Sequence, residues 1–215
     1  MGKLEERIET SQKTVKELAD LVTKSYDDAI DSLKGKNKKK AKKVQEIWPT
    51  VFRLVFKVEE HALTGLVLHQ PFGEKFRELA AAFKIATELE RIGKYVIHIA
   101  EASEALVNAE RSKNFDIILQ MAEKTKDILD HSLTAFFEKD LGSIPPLSKI
   151  DDEIDSLYTN AFDQFAEEYK EKNAPVRFYG HIVLLIRSLE RLADHACNIG
   201  SRVLFMIEGK RYRIY

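Results

Sequence analysis

Residues 189–199, with the sequence LERLADHACNI, decide the fold of this chain. A closely related stretch lies 100 residues earlier, where residues 89–92 read LERI. Both stretches place apolar residues at the three- and four-residue intervals of one helical face. Self-similarity at a fixed offset indicates an internal duplication. We therefore predict two related halves, residues 1–111 and residues 112–215.

Outside these stretches, apolar residues recur with the helical period along almost the whole chain. Only 9 Gly and 5 Pro occur in 215 residues, which favours long helices because both residues destabilise helix interiors. No convincing period-two pattern typical of strands is present. The sequence thus predicts an all-α fold of six long helices that form two repeated three-helix bundles. The predicted helices cover residues 4–33, 41–69 (with a kink or restart at Pro49), 75–111, 114–141, 151–172 and 176–208.

Composition and charge restrict the class of protein. Hydrophobic residues make up 44% and charged residues 32% of the chain, as in ordinary globular proteins. No run of about 18 apolar residues is present to cross a membrane, and the polar start MGKLEERIETSQK does not resemble a signal peptide. With a single cysteine, Cys197, these features predict a cytoplasmic protein. The net charge of −1 predicts no nucleic-acid partner.

Acidic side chains repeat at helical spacing in the second half. Glu190, Asp194 and Asn198 fall at i, i+4 and i+8, and Asp151 and Asp155 repeat the i, i+4 spacing on the preceding helix. If the two helices are neighbours, four carboxylates could converge, and a hard cation or iron would offset their repulsion. Spacing alone leaves open a solvated helix face, with the two aspartates placed in a first turn near the positive end of the helix dipole.

Several motifs, taken together, resemble the PhoU family of phosphate-uptake regulators. Residues 189–199 look like its hallmark helix, and residues 203–209 (VLFMIEG) are similar to its C-terminal end. Residues 151–158 (DDEIDSLY) resemble its other acidic motif, and residues 69–72 (HQPF) with 83–93 (FKIATELERIG) resemble the matching segment of the first half. The resemblance therefore covers nearly the whole chain.

The resemblance implies two three-helix bundles in a pseudo-twofold arrangement, with metal bound by acids of an E(D)xxxD pattern. Carried over to this chain, the ligands are Asp151, Asp155, Glu190 and Asp194, with Asn198 as an additional candidate. The expected cofactor is a divalent or trivalent metal ion, and oxygen ligands accept iron, zinc, magnesium or manganese.

The first half departs from this acidic pattern. Glu90 keeps the glutamate of the motif, whereas Lys94 stands in the aspartate position and His98 in the asparagine position. Val44 and Trp48 align with the two acids of the preceding helix. Because Lys94 follows Glu90 by one helical turn, its ammonium could pair with that carboxylate in place of a metal. We therefore predict a degenerate first-half site that binds no metal cluster.

A lysine-rich segment, residues 34–43 (KGKNKKKAKK), is predicted to be the turn between the first two helices. Its seven lysines could contact anionic lipid headgroups or nucleic acid, and Lys36, Lys38, Lys39 and Lys40 are the candidates for contact with an anion or a membrane. The alternative is an ordinary solvated turn. Interleaved aromatic residues, typical of single-strand nucleic-acid binders, are absent from the segment.

The resemblance implies a regulator of phosphate uptake rather than an enzyme. Its partners would be components of a phosphate ABC transporter at the cytoplasmic membrane face, with a sensor histidine kinase and a second copy of the chain as further candidates. One alternative is a metal-free helical adaptor. A di-metal helical-bundle enzyme is a weaker alternative, because no histidine follows a glutamate by three residues. Glycine-rich phosphate loops and the Gly-x-Ser-x-Gly pattern are also absent from the sequence.

Overall fold

The computed structural model describes residues 2–172 and 175–210 together with Tyr212 and Ile214. Within these residues the chain is helical, without strands, and no helix is both long and apolar enough to cross a bilayer. Six helices are long, which confirms the predicted all-α fold. The helices are α1 Lys3–Lys34, α2 Lys38–Gln45, α3 Trp48–His69, α4 Glu74–Leu106, α5 Phe115–Phe137, α6 Pro145–Lys172 and α7 Val176–Glu208, with a 3₁₀ turn at Leu141–Ser143.

The boundaries of α7 are those that the sequence predicts. Pro175 precedes its first turn, and Gly209 ends it in the left-handed conformation at φ 75°. The Gly209 amide donates a hydrogen bond to the Phe205 carbonyl at 3.0 Å, which is typical of a glycine that ends a helix. The predicted break at residues 173–175 falls largely on residues 173 and 174, which lie outside the described residues.

The second predicted helix, residues 41–69, is divided into two helices, and the first of them begins inside the predicted turn. Helix α2 starts at Lys38, inside the predicted turn, because the Asn37 side chain accepts a hydrogen bond from the Lys40 amide and the helix buries Ala41 and Val44. A new helix, α3, then begins at Trp48, so Pro49 restarts the second predicted helix rather than kinking it.

Helix α6 begins at Pro145, six residues before the predicted start at residue 151. Proline is well tolerated in the first turn of a helix, where its missing N–H has no intrahelical partner. Asp151 and Asp155 therefore lie beyond the first turn, and the helix-dipole explanation for these acids is wrong. Helices α4 and α5 end at Leu106 and Phe137, four to five residues before the predicted ends at 111 and 141.

The helices pack as two three-helix bundles. Helices α1, α3 and α4 form the first bundle, with the short α2 against α1 and α4, and α5, α6 and α7 form the second. Helices α4 and α7 make the most extensive contact in the molecule and join the bundles. One apolar core runs through both, with fully buried residues such as Leu18, Leu89, Ile118 and Leu189. The two bundles thus pack against each other through α4 and α7, the last helix of each.

Candidate functional site

The pairing of α6 with α7 brings the four predicted acids to one edge of the second bundle. Asp151 on α6 is buried, Asp155 one turn later is exposed, and Glu190 and Asp194 on α7 are partly buried. Their charges interact across the two helices. Burial first, and then the charges of Asp155 and Asp194, raise the pKa of Asp151 to about 6.

Asp155 and Glu190 are also affected by burial and by neighbouring negative charge. Burial and then the charge of Asp194 raise the pKa of Asp155. For Glu190, burial and the charge of Asp194 raise the pKa, while Arg191 opposes the shift. The ionised forms of Asp151, Asp155 and Glu190 are therefore disfavoured at this edge, which is the electrostatic condition that a bound cation would relieve.

One arginine partly neutralises the acids. Arg191 Nη1 donates to Asp194 Oδ2 at 2.9 Å, and Arg191 Nε lies 3.4 Å from Glu190 Oε2. That Glu190 oxygen is buried and forms no hydrogen bond among the described residues. A buried carboxylate oxygen without a hydrogen bond is costly, so Glu190 has the character of an incompletely satisfied ligand.

The chemistry of these donors suits a hard metal ion, because all the candidate ligands are carboxylate oxygens on two adjacent helices. With the side chains in their present positions, no three His, Cys, Asp or Glu residues in the described part of the chain form a group that could hold a metal ion. The acids are neighbours, but they are not gathered into a coordination sphere. Metal binding would require their side chains to rotate toward one another.

Asn198, the additional ligand candidate, contacts a residue of the other bundle. Its side-chain amide donates to Glu88 Oε2 on α4 at 3.4 Å. Cys197, next to it in sequence, is fully buried. Burial first, followed by the charge of Asp151, raises the pKa of the Cys197 thiol well above its usual range. Cys197 is therefore a small buried residue of the core.

The equivalent position in the first bundle has a different surface. In the part of the chain that the structure describes, no ion pair joins Glu90 to Lys94, and Lys94 is exposed. His98 packs edge-on against Tyr95, with ring centroids 5.8 Å apart. The break between α2 and α3 falls between Val44, which is buried, and Trp48, which packs against the core. Two helices, α2 and α3, with apolar residues on either side of their break, thus replace the single acidic helix α6 of the second bundle.

A buried polar cluster lies between the two bundles and was not predicted from the sequence. His195 Nδ1 lies 2.8 Å from Glu88 Oε2, and both residues are buried. Arg202 Nη2 lies 3.9 Å from the other Glu88 oxygen. Glu88 is the one acid of α4 that faces α7 in this cluster, and its partners are more than 100 residues away in sequence. The 100-residue offset between the repeats aligns His195 with Tyr95, and this alignment could have indicated that His195 lies near the contact between the repeats.

Most lysines of the 34–43 segment bind groups of the chain itself. These contacts hold α2 against α1 and α4. The segment is thus largely occupied by contacts within the chain, and from Lys38 onward it is a helix rather than a turn. Among the described residues, Lys39 forms no ion pair, and it is exposed. The contacts are Lys36 with the Ala109 carbonyl, Lys38 with Glu104 at 3.3 Å, Lys40 with Asp28 at 3.1 Å and Asp31 at 3.0 Å, and Lys42 with Glu104 at 3.8 Å.

Comparison with known proteins gives consistent matches. The family model described as "PhoU domain" matches the chain twice, at residues 15–103 and 118–203. A "Phosphate-specific transport system accessory protein PhoU homolog" of Synechocystis sp. is 28% identical over 209 residues, covering 96% of this chain and 92% of that protein. "Homolog 1" of Thermotoga maritima is 29% identical over 196 residues, covering 90% and 84%.

Solved structures share the fold. The crystal structure of PhoU from Pseudomonas aeruginosa superposes with a TM-score of 0.92 at 22% identity, covering 97% of this chain and all of that one (100%). The phosphate transport system regulatory protein PhoU from Streptococcus pneumoniae gives a TM-score of 0.89 at 20% identity, covering 98% and 99%. Both similarities extend over the two bundles together.

Proposed function

This chain belongs to the PhoU domain family, and we propose that it is the regulatory accessory protein of a phosphate-specific transport system. The observation that carries the proposal is the double match of the family model, one copy on each helical bundle. The relatives named above are accessory proteins of a transport system rather than enzymes. The chain would act by binding components of a phosphate ABC transporter at the cytoplasmic membrane face and restraining uptake.

The geometry supports a binding role rather than a chemical one. The helices present broad outer surfaces, and the only cysteine is buried. The net charge of the acidic edge of α6 and α7 depends on whether protons or a cation are bound to its carboxylates. A transporter subunit that contacts this edge would bind differently to its charged and neutralised forms.

We further propose that Asp151, Asp155, Glu190 and Asp194 hold a divalent or trivalent metal ion. When bound, such an ion would supply positive charge that offsets the repulsion among the carboxylates and links α6 to α7. The repulsion itself and the unsatisfied Glu190 oxygen support this assignment. Arg191 would then keep one acid oriented while the others turn toward the ion.

A metal-free adaptor is the second candidate function, and Arg191 is the observation that favours it. Its guanidinium already lies against two of the four acids. In this case the acidic edge would be a docking surface without a cofactor. Metal analysis of protein purified from its native host without chelators separates the two candidates.

The regulatory function is tested by capture and by transport. The tagged chain, expressed in its native host, is used to capture partners from detergent-solubilised membranes, with an unrelated helical protein carrying the same tag as the control. We expect recovery of transporter subunits, and a strain that lacks the gene should take up phosphate faster under phosphate-replete conditions. Unchanged uptake together with no recovered transport component would refute the proposal. A sensor kinase in the captured material, and a dimer mass by light scattering, would extend it.

A further inference from the structure

The outward side of α3 carries a line of exposed apolar residues, here called the apolar stripe: Phe52, Phe56, Leu63 and Val67. Their spacing of four, seven and four residues places them on one face of the helix. Their exposed fractions are 58%, 59%, 48% and 69%. The opposite face of α3 buries Val51, Val55 and Val58 in the core, so the stripe is not needed to hold the helix in place.

Four exposed cations lie along the same outward side, here called the cationic flank: Lys39, Lys43, Arg53 and Lys57. Lys39 and Lys43 stand opposite the buried side of α2, and Arg53 and Lys57 follow the two phenylalanines in sequence. In the described part of the chain, none of the four forms an ion pair. Both helices pack on α1 and α4, so their outward sides point away from the same neighbours. Glu46 and Glu60 are exposed acids of this side, and Glu59, which is partly exposed, lies within the stripe between Phe56 and Leu63.

The second bundle shows that the fold does not require such a surface. Aligning the Glu-Ile pair at residues 46–47 with that at residues 153–154 sets the register between α3 and α6. In this register Thr159, Asp163 and Lys170 of α6 occupy the positions of Phe52, Phe56 and Leu63, and all three are exposed. The same helical scaffold therefore carries polar residues at these three positions in one repeat and apolar residues in the other.

The shape of this surface selects the kind of partner. The stripe lies on the convex outside of a helix, and it continues into the turn between α3 and α4, where Phe72 is 90% exposed. Projecting aromatic side chains with flanking lysine and arginine are typical of helices that lie in the headgroup region of a bilayer. A negatively charged leaflet would also attract the cationic flank.

We infer that the outward side of α2 and α3 binds the surface of an anionic phospholipid bilayer, with the apolar stripe inserted at the boundary between the headgroups and the acyl chains. Lys39, Lys43, Arg53 and Lys57 contact the lipid phosphates. The inference goes beyond the proposed transport function and does not depend on it. Binding to lipid would confine the chain to the plane in which a membrane transporter lies and would raise its local concentration there.

Co-sedimentation with lipid vesicles tests the inference. The full chain should sediment with vesicles of phosphatidylcholine mixed with phosphatidylglycerol and remain in solution with pure phosphatidylcholine. The double variant Phe52→Ser/Phe56→Ser should weaken sedimentation by about tenfold or more, since two large apolar side chains no longer leave water. Lys39→Glu/Lys43→Glu should weaken it too, and added salt should weaken binding of the wild type.

Matched controls separate a lipid site from a general property of the chain. Phe162→Ser removes an exposed phenylalanine of the second bundle, and Lys13→Glu/Lys24→Glu inverts two exposed lysines of α1; both should sediment like the wild type. Absence of binding to the anionic vesicles, or equal binding by the phenylalanine variant with an unchanged helical circular dichroism spectrum, would overturn the inference.

Other occupants of the surface would give different results. A wild-type dimer that becomes a monomer in the Phe52→Ser/Phe56→Ser variant, without vesicle binding, would assign the surface to a second copy and overturn the lipid inference. Capture of transporter subunits from detergent solution by a chain that does not bind vesicles would likewise overturn it while leaving the proposed transport function intact.

Discussion

Tyr95 and His195 occupy equivalent positions in the two repeats, and their rings stack against each other with centroids 5.7 Å apart and an interplanar angle of 25°. The stack therefore brings equivalent positions of the two repeats together at the α4–α7 interface. His195 is further fixed by Glu88, 2.8 Å from its Nδ1.

Replacing His195 with alanine should lower the free energy of unfolding by about 2–3 kcal/mol, because Glu88 would remain buried after losing its closest partner. Urea denaturation followed by circular dichroism measures this loss. The double variant His195→Ala/Glu88→Ala should lose less than the sum of the two single variants, with a coupling of at least about 1 kcal/mol. Strictly additive losses would show that the two residues do not interact energetically.

Replacing Glu190 with alanine should abolish or strongly reduce the metal content of the protein, because it removes one of four proposed ligands. Glu90→Ala, at the equivalent position of the first bundle, is the matched control and should leave the metal content unchanged. Inductively coupled plasma mass spectrometry of protein purified without chelators gives the stoichiometry. Equal metal content in the wild type and in Glu190→Ala would disprove the assigned ligands.

In the chelator-treated protein, the contribution of Asp151 to the unfolding free energy, measured as wild type minus Asp151→Asn, should fall as pH rises from about 4 to about 6. Asp151 has a folded-state pKa of about 6, above the value of about 3.9 expected in an unfolded chain. Between these two pKa values the folded protein holds a proton on Asp151 that the unfolded chain has released. Raising the pH therefore favours the unfolded chain, and the free energy of unfolding decreases. Above pH 6 the full penalty is present. Denaturation curves at several pH values measure the slope.

The Asp151→Asn variant should lack this contribution, and it should stabilise the metal-free protein at neutral pH by roughly 1 kcal/mol once screening by water is allowed for. Asp152→Asn is the matched control, since it removes a neighbouring exposed carboxylate from the same helix. Equal slopes in the wild type and in Asp151→Asn would locate the titrating group elsewhere.

Two glycines of α7 should respond oppositely to alanine. Gly180 is exposed, and a Cβ there would meet no other atom within 4 Å, so Gly180→Ala should stabilise the protein by about 0.5–1 kcal/mol. A Cβ at Gly200 would lie 2.4 Å from the Leu147 side chain, and Leu147 is fully buried. Gly200→Ala should therefore destabilise by about 1–3 kcal/mol. Thermal unfolding of both variants is the measurement, and stabilisation by Gly200→Ala would contradict the packing described.

Helix α7 could be predicted to the residue because both of its ends carry local signals, a proline before it and a glycine after it. The start of α6 could not, because Pro145 and Pro146 read equally well as a loop or as a first turn. Helix α2 was not predicted to begin at Lys38 because its lysine-rich sequence lacks an extended apolar pattern. Its stability depends on Ala41 and Val44 packing on other helices and on ion pairs with distant acids such as Glu104.

The candidate acids could be found from sequence because their spacing is local to two helices. The partner of His195 could not, because Glu88 differs in no local feature from the other glutamates of α4. Its role depends on the contact between two helices from different repeats. The same limit applies to Asn198, whose amide contacts Glu88 of the other repeat.

The continuous core described above has a consequence for how the molecule unfolds. The buried faces of α4 and α7 are each completed by the other repeat, so separating the repeats would expose a large apolar surface on both. Loss of either repeat should therefore melt the other, and the whole chain should unfold in one cooperative transition, with calorimetric and van't Hoff enthalpies in agreement. The duplication has thus produced one thermodynamic unit from two copies of the same helical motif.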